Sequence, residues 1–162
     1  MAPPTDTFPV PRDTDLAPRL RLAVTRTARR LRQEAGSDLG PSQTASLATI
    51  ERHGPLSPSE LAERERIMRP TATRILSHLE GAGLVARVRH PSDGRCSILS
   101  ITAEGKALLR SLRKRKTAYL AHQISDLPPD DVAALSRAAD VLERMLEEHP
   151  TAEFRAPVGG TS

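Results

Sequence analysis

The stretch that most constrains this chain is residues 67–102, IMRPTATRILSHLEGAGLVARVRHPSDGRCSILSIT. Its first part predicts a helix. Pro70 suits a first helical position, where a missing N–H costs nothing. Ala72, Ile75, Leu76 and Leu79 recur at i, i+3, i+4 and i+7 and make one apolar face. The remaining positions carry Arg69, Thr71, Thr73, Arg74, Ser77 and His78, with no acid before Glu80. Gly81-Ala82-Gly83 ends the helix, glycine tolerating a left-handed cap. Two strand-like runs follow, 84–90 and 96–101, joined by a turn with Asp93-Gly94 at its centre.

A helix with Arg and Thr at its exposed start matches the major groove, where bases offer acceptors and thymine methyls. A hairpin with Arg95 at its tip can reach an adjacent minor groove. Upstream, Ser57-Pro58-Ser59-Glu60 is a helix start: Ser57 caps, Pro58 takes the first position and Glu60 completes a capping box. Leu61 and Ala62 continue a short helix that stops near Arg66. A short capped helix, a tight turn and an amphipathic helix form the helix-turn-helix pattern, although Arg66-Ile67-Met68 stands where the turn commonly holds glycine.

The stretch resembles the winged helix-turn-helix of the MarR (multiple antibiotic resistance regulator) family. The resemblance rests on Ser59-Glu60-Leu61-Ala62, Arg69 to Arg74, Leu79-Glu80, Gly83-Leu84-Val85, Asp93-Gly94-Arg95 and Leu99 to Thr102 with Gly105 after it, and covers about residues 16–148. It implies a mainly α (α+β) fold, a winged helix-turn-helix with flanking N- and C-terminal dimerisation helices. It also implies a homodimer on a pseudo-palindromic duplex operator. Relatives often bind small aromatic or phenolic effectors between the dimer helices and the winged domain. In the resemblance, Asp93 holds Arg95 by an ion pair while Arg95 enters the minor groove.

The expected organisation is an N-terminal arm (1–14), one domain (15–149) and a tail (150–162). Within the domain, 41–102 is the winged helix-turn-helix, and 15–40 and 103–149 supply the dimerisation helices. The arm, with Pro3, Pro4, Pro9 and Pro11, and the tail, with Gly159-Gly160, read as disordered. The first helix, 15–35, has an apolar stripe through Leu16, Leu20, Ala23, Val24, Thr27, Leu31 and Ala35. The second, 41–52, offers Ala45, Leu47, Ala48 and Ile50, and Leu56 then enters a minimal strand beside the hairpin. Thr102 caps a long helix to Ser125 with Ala107, Leu108, Leu112, Tyr119, Leu120 and Ile124 facing inward. The last helix, to His149, carries Val132, Leu135, Ala138, Ala139, Leu142, Met145 and Leu146. These outer helices are more apolar than the small winged module can cover, which again predicts an intertwined dimer.

Composition narrows the function classes. The net charge of +4 is compatible with a polyanionic partner. Aromatics at 2% argue against single-strand binders that stack bases on aromatic platforms. A single cysteine, Cys96, excludes an internal disulfide and suits a reducing cytoplasm; it reads as a small strand residue, not a redox switch. No run is apolar and long enough to span a membrane. The chain lacks a glycine-rich phosphate loop and any recognisable nucleophile or carboxylate-pair setting, so no enzyme is expected. The five histidines are scattered, and neither metal nor cofactor is expected.

The expected DNA-binding residues are Arg69, Pro70, Thr71, Thr73, Arg74, Ser77, His78, Arg87, Arg89, Asp93 and Arg95. Arg74 and Thr73 are the base readers. Pro70 and Thr71 touch a thymine methyl or bond a phosphate, and Ser77 and His78 meet backbone. Arg87 and Arg89 flank the wing on phosphates. Two other readings stand beside an operator-specific bacterial repressor: a nonspecific architectural DNA binder, and a winged-helix adaptor that binds protein.

Overall fold

The computed structural model describes residues 13–89 and 97–148. The elements run α1 (Asp13–Ala35), α2 (Pro41–His53), α3 (Pro58–Glu65), α4 (Arg69–Gly81), β1 (Val85–Arg89), β2 (Ser97–Ile101), α5 (Ala103–Ser125) and α6 (Pro129–Glu148). The chain divides into two compact units, one reaching to Tyr119 and one starting at Leu120.

In the first unit, α2, α3 and α4 enclose one core with the strand pair. Leu47, Ile50, Leu61, Leu76, Leu79 and Leu99 are its innermost side chains. The capping box at Ser57 forms as expected. The Glu60 N–H donates to Ser57 Oγ at 3.3 Å, and the Ser57 N–H donates to Glu60 Oε2 at 2.7 Å. The two strands pair antiparallel, with Val85 opposite Ile101 and Arg89 opposite Ser97. Leu56 adds the expected minimal third strand, exchanging backbone hydrogen bonds with Leu99 at 3.0 and 2.9 Å.

Thr102 links the winged part to α5. Its Oγ1 accepts from the Gly105 N–H at 3.0 Å and donates to the Gly83 carbonyl at 2.8 Å. Gly105 then lies so close to the Leu84 carbonyl that α5 turns glycine, Leu109 and Leu112 inward. This corrects the expected inward set: Leu112 is buried as expected and Leu108 partly so, but Ala107 and Leu120 are exposed and Leu109 takes the core position. On α2, likewise, Ala45 is exposed and Ser46 is buried beside Leu47 and Ile50.

Polar contacts join α5 to α2 and α1 to α5. Arg113 on α5 pairs with Glu51 on α2, and its guanidinium holds the Glu51 carboxyl below the usual carboxylate range. Arg30 on α1 donates from Nε to the Tyr119 hydroxyl at 3.3 Å and meets Glu34 at 2.8 Å.

The apolar stripe of α1 is mostly uncovered: Ala35 is buried, Leu20 and Leu31 are half-buried, and Leu16 and Val24 stay exposed. In the second unit, α6 exposes Val132, Leu135, Val141, Met145 and Leu146, with Leu142 half-buried. Among the described residues, no helix is long and apolar enough to cross a membrane.

Candidate nucleic-acid interface

The turn between α3 and α4 answers the absence of glycine directly. Arg66 itself adopts the left-handed conformation, φ 53° and ψ 45°, the one non-glycine residue among those described with positive φ. Left-handed backbone costs an L-residue roughly 1–2 kcal/mol. It is held by the Arg66 N–H donating to the Glu63 carbonyl at 3.3 Å and the Ile67 N–H donating to the Ala62 carbonyl at 3.0 Å. The chain thus leaves α3 sharply and enters α4 at a set angle.

Helix α4 begins one residue earlier than expected. Met68 is its N-cap, Arg69 its first residue and Pro70 its second, a position where the proline still forfeits no intrahelical bond. Ala72, Ile75, Leu76 and Leu79 are buried as their spacing predicts. With that face against the core, the helical period places Pro70, Arg74 and Ser77 along the outward ridge, with Thr73 on one flank and His78 on the other. All five are exposed, as is Arg69, and Thr71 is half-buried.

Among the described residues, neither Arg69 nor Arg74 has an ion-pair partner. Their guanidinium donors face solvent. Thr73 differs: its hydroxyl donates to the Arg69 carbonyl at 3.0 Å, which leaves it oxygen lone pairs and a methyl to present outward. Glu80, the first acid of the helix, is paired with Arg87 of β1 at 2.9 Å. Arg87 is exposed and Glu80 half-buried, so solvent screens the pair, it is worth about 1 kcal/mol at most, and a phosphate can compete for the arginine.

One neighbour of the ridge escaped the sequence reading. The start of α2, Gly40 to Gln43, borders a groove of about 400 Å³ whose other wall is Thr71, Arg74, Ile75 and His78. The first turn of α2 contains no acid, and the Gly40 N–H is already taken by Gln43 Oε1 at 2.8 Å. The sequence signal was that acid-free Pro41-Ser42-Gln43 start, which meant little until the fold put it beside Arg74. Arg89 occupies the last register position of β1. Asp93, Arg95 and Cys96 lie outside the described residues.

The MarR family model matches residues 39–97, the span that contains α2 to the start of β2. An uncharacterised HTH-type transcriptional regulator of Mycobacterium leprae is 35% identical over 139 residues, 85% of this chain and 97% of the relative. The chain belongs to the MarR family. The HTH-type transcriptional repressor MdtR of Bacillus subtilis is 31% identical over 111 residues, 64% of this chain and 72% of that protein.

Solved structures agree on the fold of this MarR chain. A transcriptional regulator of Pseudomonas aeruginosa, 33% identical, superposes with a TM-score of 0.74 over 85% of this chain and 98% of that one. A point mutant of Staphylococcus aureus MepR, bound to an oligodeoxyribonucleotide, is 18% identical and superposes with a TM-score of 0.62 over 82% and 96%. This MarR protein is a DNA-binding transcriptional regulator with a winged helix-turn-helix, and not an enzyme.

Proposed function

We propose that the protein is a ligand-responsive repressor that binds a pseudo-palindromic operator as a homodimer in the cytoplasm. The observation that carries this reading is the outward ridge of α4, where among the described residues Arg69 and Arg74 have no acidic partner and Arg74 stands beside an acid-free helix start. Arg74 and Thr73 read base edges; Pro70 and Thr71 meet a thymine methyl or a phosphate, and Arg69, Ser77 and His78 meet backbone. Arg87 and Arg89 hold backbone along the wing, and Asp93 and Arg95 serve its tip. The repressor MdtR among the relatives supports the sign of regulation, and the oligodeoxyribonucleotide-bound MepR supports a DNA partner. The deciding experiment is selection of bound sequences from random duplex: an inverted repeat is the expected product. No enrichment would favour an architectural binder, and no DNA binding an adaptor.

The dimer reading assigns 41–102 to DNA and 15–40 with 103–149 to subunit association. Its support is the uncovered apolar surface at Leu16 and Val24 on α1 and at Leu135, Met145 and Leu146 on α6. Left in water, such faces forgo about 25 cal/mol for every Å² they would otherwise bury. Sedimentation equilibrium at micromolar concentration should therefore give a dimer, and Leu135→Glu should shift it toward monomer and weaken operator binding. A wild-type monomer that binds the operator as a single unit would contradict this assignment.

Ligand control has a structural candidate. A cavity of about 910 Å³ lies between α1, α2 and the middle of α5. Leu31, Ala35, Leu39 and Leu112 give it an apolar lining, and Arg29, Arg32 and Lys116 also line it. That combination suits a small aromatic acid. Such a ligand changes DNA affinity only if it binds the DNA-competent and incompetent dimers unequally. Titration with aromatic carboxylic acids should lower operator affinity about 5- to 150-fold at saturation for the effective compound. A compound that binds tightly in the cavity and leaves operator affinity unchanged would reject this mechanism for it.

A further inference from the structure

We infer that Met68 is a specificity-determining residue that reads a thymine C5-methyl group in the major groove. The inference rests on the proposed operator reading by α4. Among the described residues between α1 and Leu120, Met68 and Val88 are the exposed large apolar side chains, and Met68 is 74% exposed. Scattered exposed hydrophobics are ordinary. Three things set Met68 apart.

The first is its place. It is the N-cap of α4, one residue ahead of Arg69 and at the tip of the helix whose ridge carries Thr73 and Arg74. The N-terminal residues of a helix-turn-helix second helix are those that contact base edges. The turn that positions Met68 is shaped by the left-handed Arg66 and the hydrogen bond from the Ile67 N–H to the Ala62 carbonyl.

The second is what the position forgoes. Helix N-caps favour Ser, Thr, Asp and Asn, whose side chains accept from the first free N–H groups. Ser57 does this for α3 and Thr102 for α5. Met68 makes no side-chain cap bond, and its side chain stays in solvent instead of the core. Neither stability nor packing accounts for a thioether here. A carboxylate cap at the same point would also repel phosphates.

The third is the chemistry of the partner. A thioether is polarisable and has no strong donor or acceptor, so it discriminates through close apolar contact. On the major-groove edge of the base pairs, the apolar group is the thymine methyl; every other marker is a donor or an acceptor. The neighbouring arginines supply the polar contacts, and Met68 supplies the one they cannot.

The test is a methyl-deletion scan. On the duplex enriched by selection, each thymine is replaced by 2′-deoxyuridine at symmetry-related positions, which removes the methyl and leaves base pairing intact. Affinity is measured for wild type, Met68→Leu and Met68→Ala, with unchanged thermal melting as the folding control and Arg74→Ala as the control on the operator reading. At one position, uracil should weaken wild type and Met68→Leu about three- to tenfold per half-site and leave Met68→Ala unaffected. Equal uracil sensitivity of wild type and Met68→Ala at every position, or no sensitivity anywhere, would overturn the inference. If Arg74→Ala still loses selectivity in that case, the operator reading stands and only Met68 falls. If no duplex is enriched, both fall.

Discussion

Arg74→Ala lowers affinity for the enriched operator by roughly 1–3 kcal/mol per half-site and leaves affinity for random duplex little changed. The expectation follows from placement. Arg74 lies on the ridge opposite Ile75, Leu76 and Leu79, it is exposed, and no acid among the described residues neutralises it. A guanidinium so placed can bond guanine O6 and N7 together, a geometry that lysine cannot reproduce. Arg87→Ala should behave differently. Arg87 lies on β1 paired with Glu80; under the proposed reading it anchors DNA backbone, so its loss removes that anchor and leaves an acid near the phosphates. Cognate and random affinities should fall in parallel, with the salt slope reduced by about one. Fluorescence anisotropy on both duplexes separates the two behaviours. Equal losses on both duplexes for Arg74→Ala would make Arg74 a phosphate clamp.

Gly105→Ala destabilises the fold by roughly 1–3 kcal/mol, the range for overpacking a tight site. An added Cβ would stand 2.3 Å from the Leu84 carbonyl oxygen and 2.8 Å from Ile101 Cγ1. The first neighbour is backbone, and it is engaged: the Leu84 carbonyl accepts from the Thr102 N–H at 3.0 Å. Relief of the clash therefore disturbs the joint by which the wing strands enter α5. Chemical denaturation at fixed protein concentration measures the loss. Gly81→Ala is the matched control, because nothing lies within 4 Å of its added Cβ and its φ is not positive. It should be neutral or stabilising by up to about 1 kcal/mol. Comparable losses at both glycines would mean that the close approach at Gly105 is not what constrains it.

The sequence legibly encodes what depends on local period and capping. The buried set of α4, the Ser57–Glu60 capping box and the pairing of Leu56 with the wing all follow from residue spacing and end signals. Features set by tertiary approach were not legible in the same way. The choice of Ser46 over Ala45 on α2, and of Leu109 over Ala107 on α5, depends on the rotation each helix takes against its neighbours. Gly105 determines that rotation for α5 by closeness to a carbonyl from a distant segment. Arg66 in the left-handed region could not be read from a pattern in which glycine is the usual occupant.

The candidate site divides along the same line. Arg69, Arg74, Ser77 and His78 are exposed on the helix that the periodicity predicted, and Arg87 is on its strand. The ion pair of Arg87 with Glu80 and the nearness of the α2 start to Arg74 join residues far apart in sequence, so no local pattern announces them. Met68 stood in view as part of an atypical turn, and only its exposure at an uncapped helix tip gives it meaning.

The most direct measurement is a salt-series anisotropy titration of the wild-type protein on the enriched duplex and on a scrambled duplex of the same composition. Operator-specific binding predicts a preference of roughly 10³–10⁷ at physiological salt, with both affinities falling as salt rises. Superimposed isotherms for the two duplexes at every salt concentration would contradict sequence-specific regulation and leave only backbone binding.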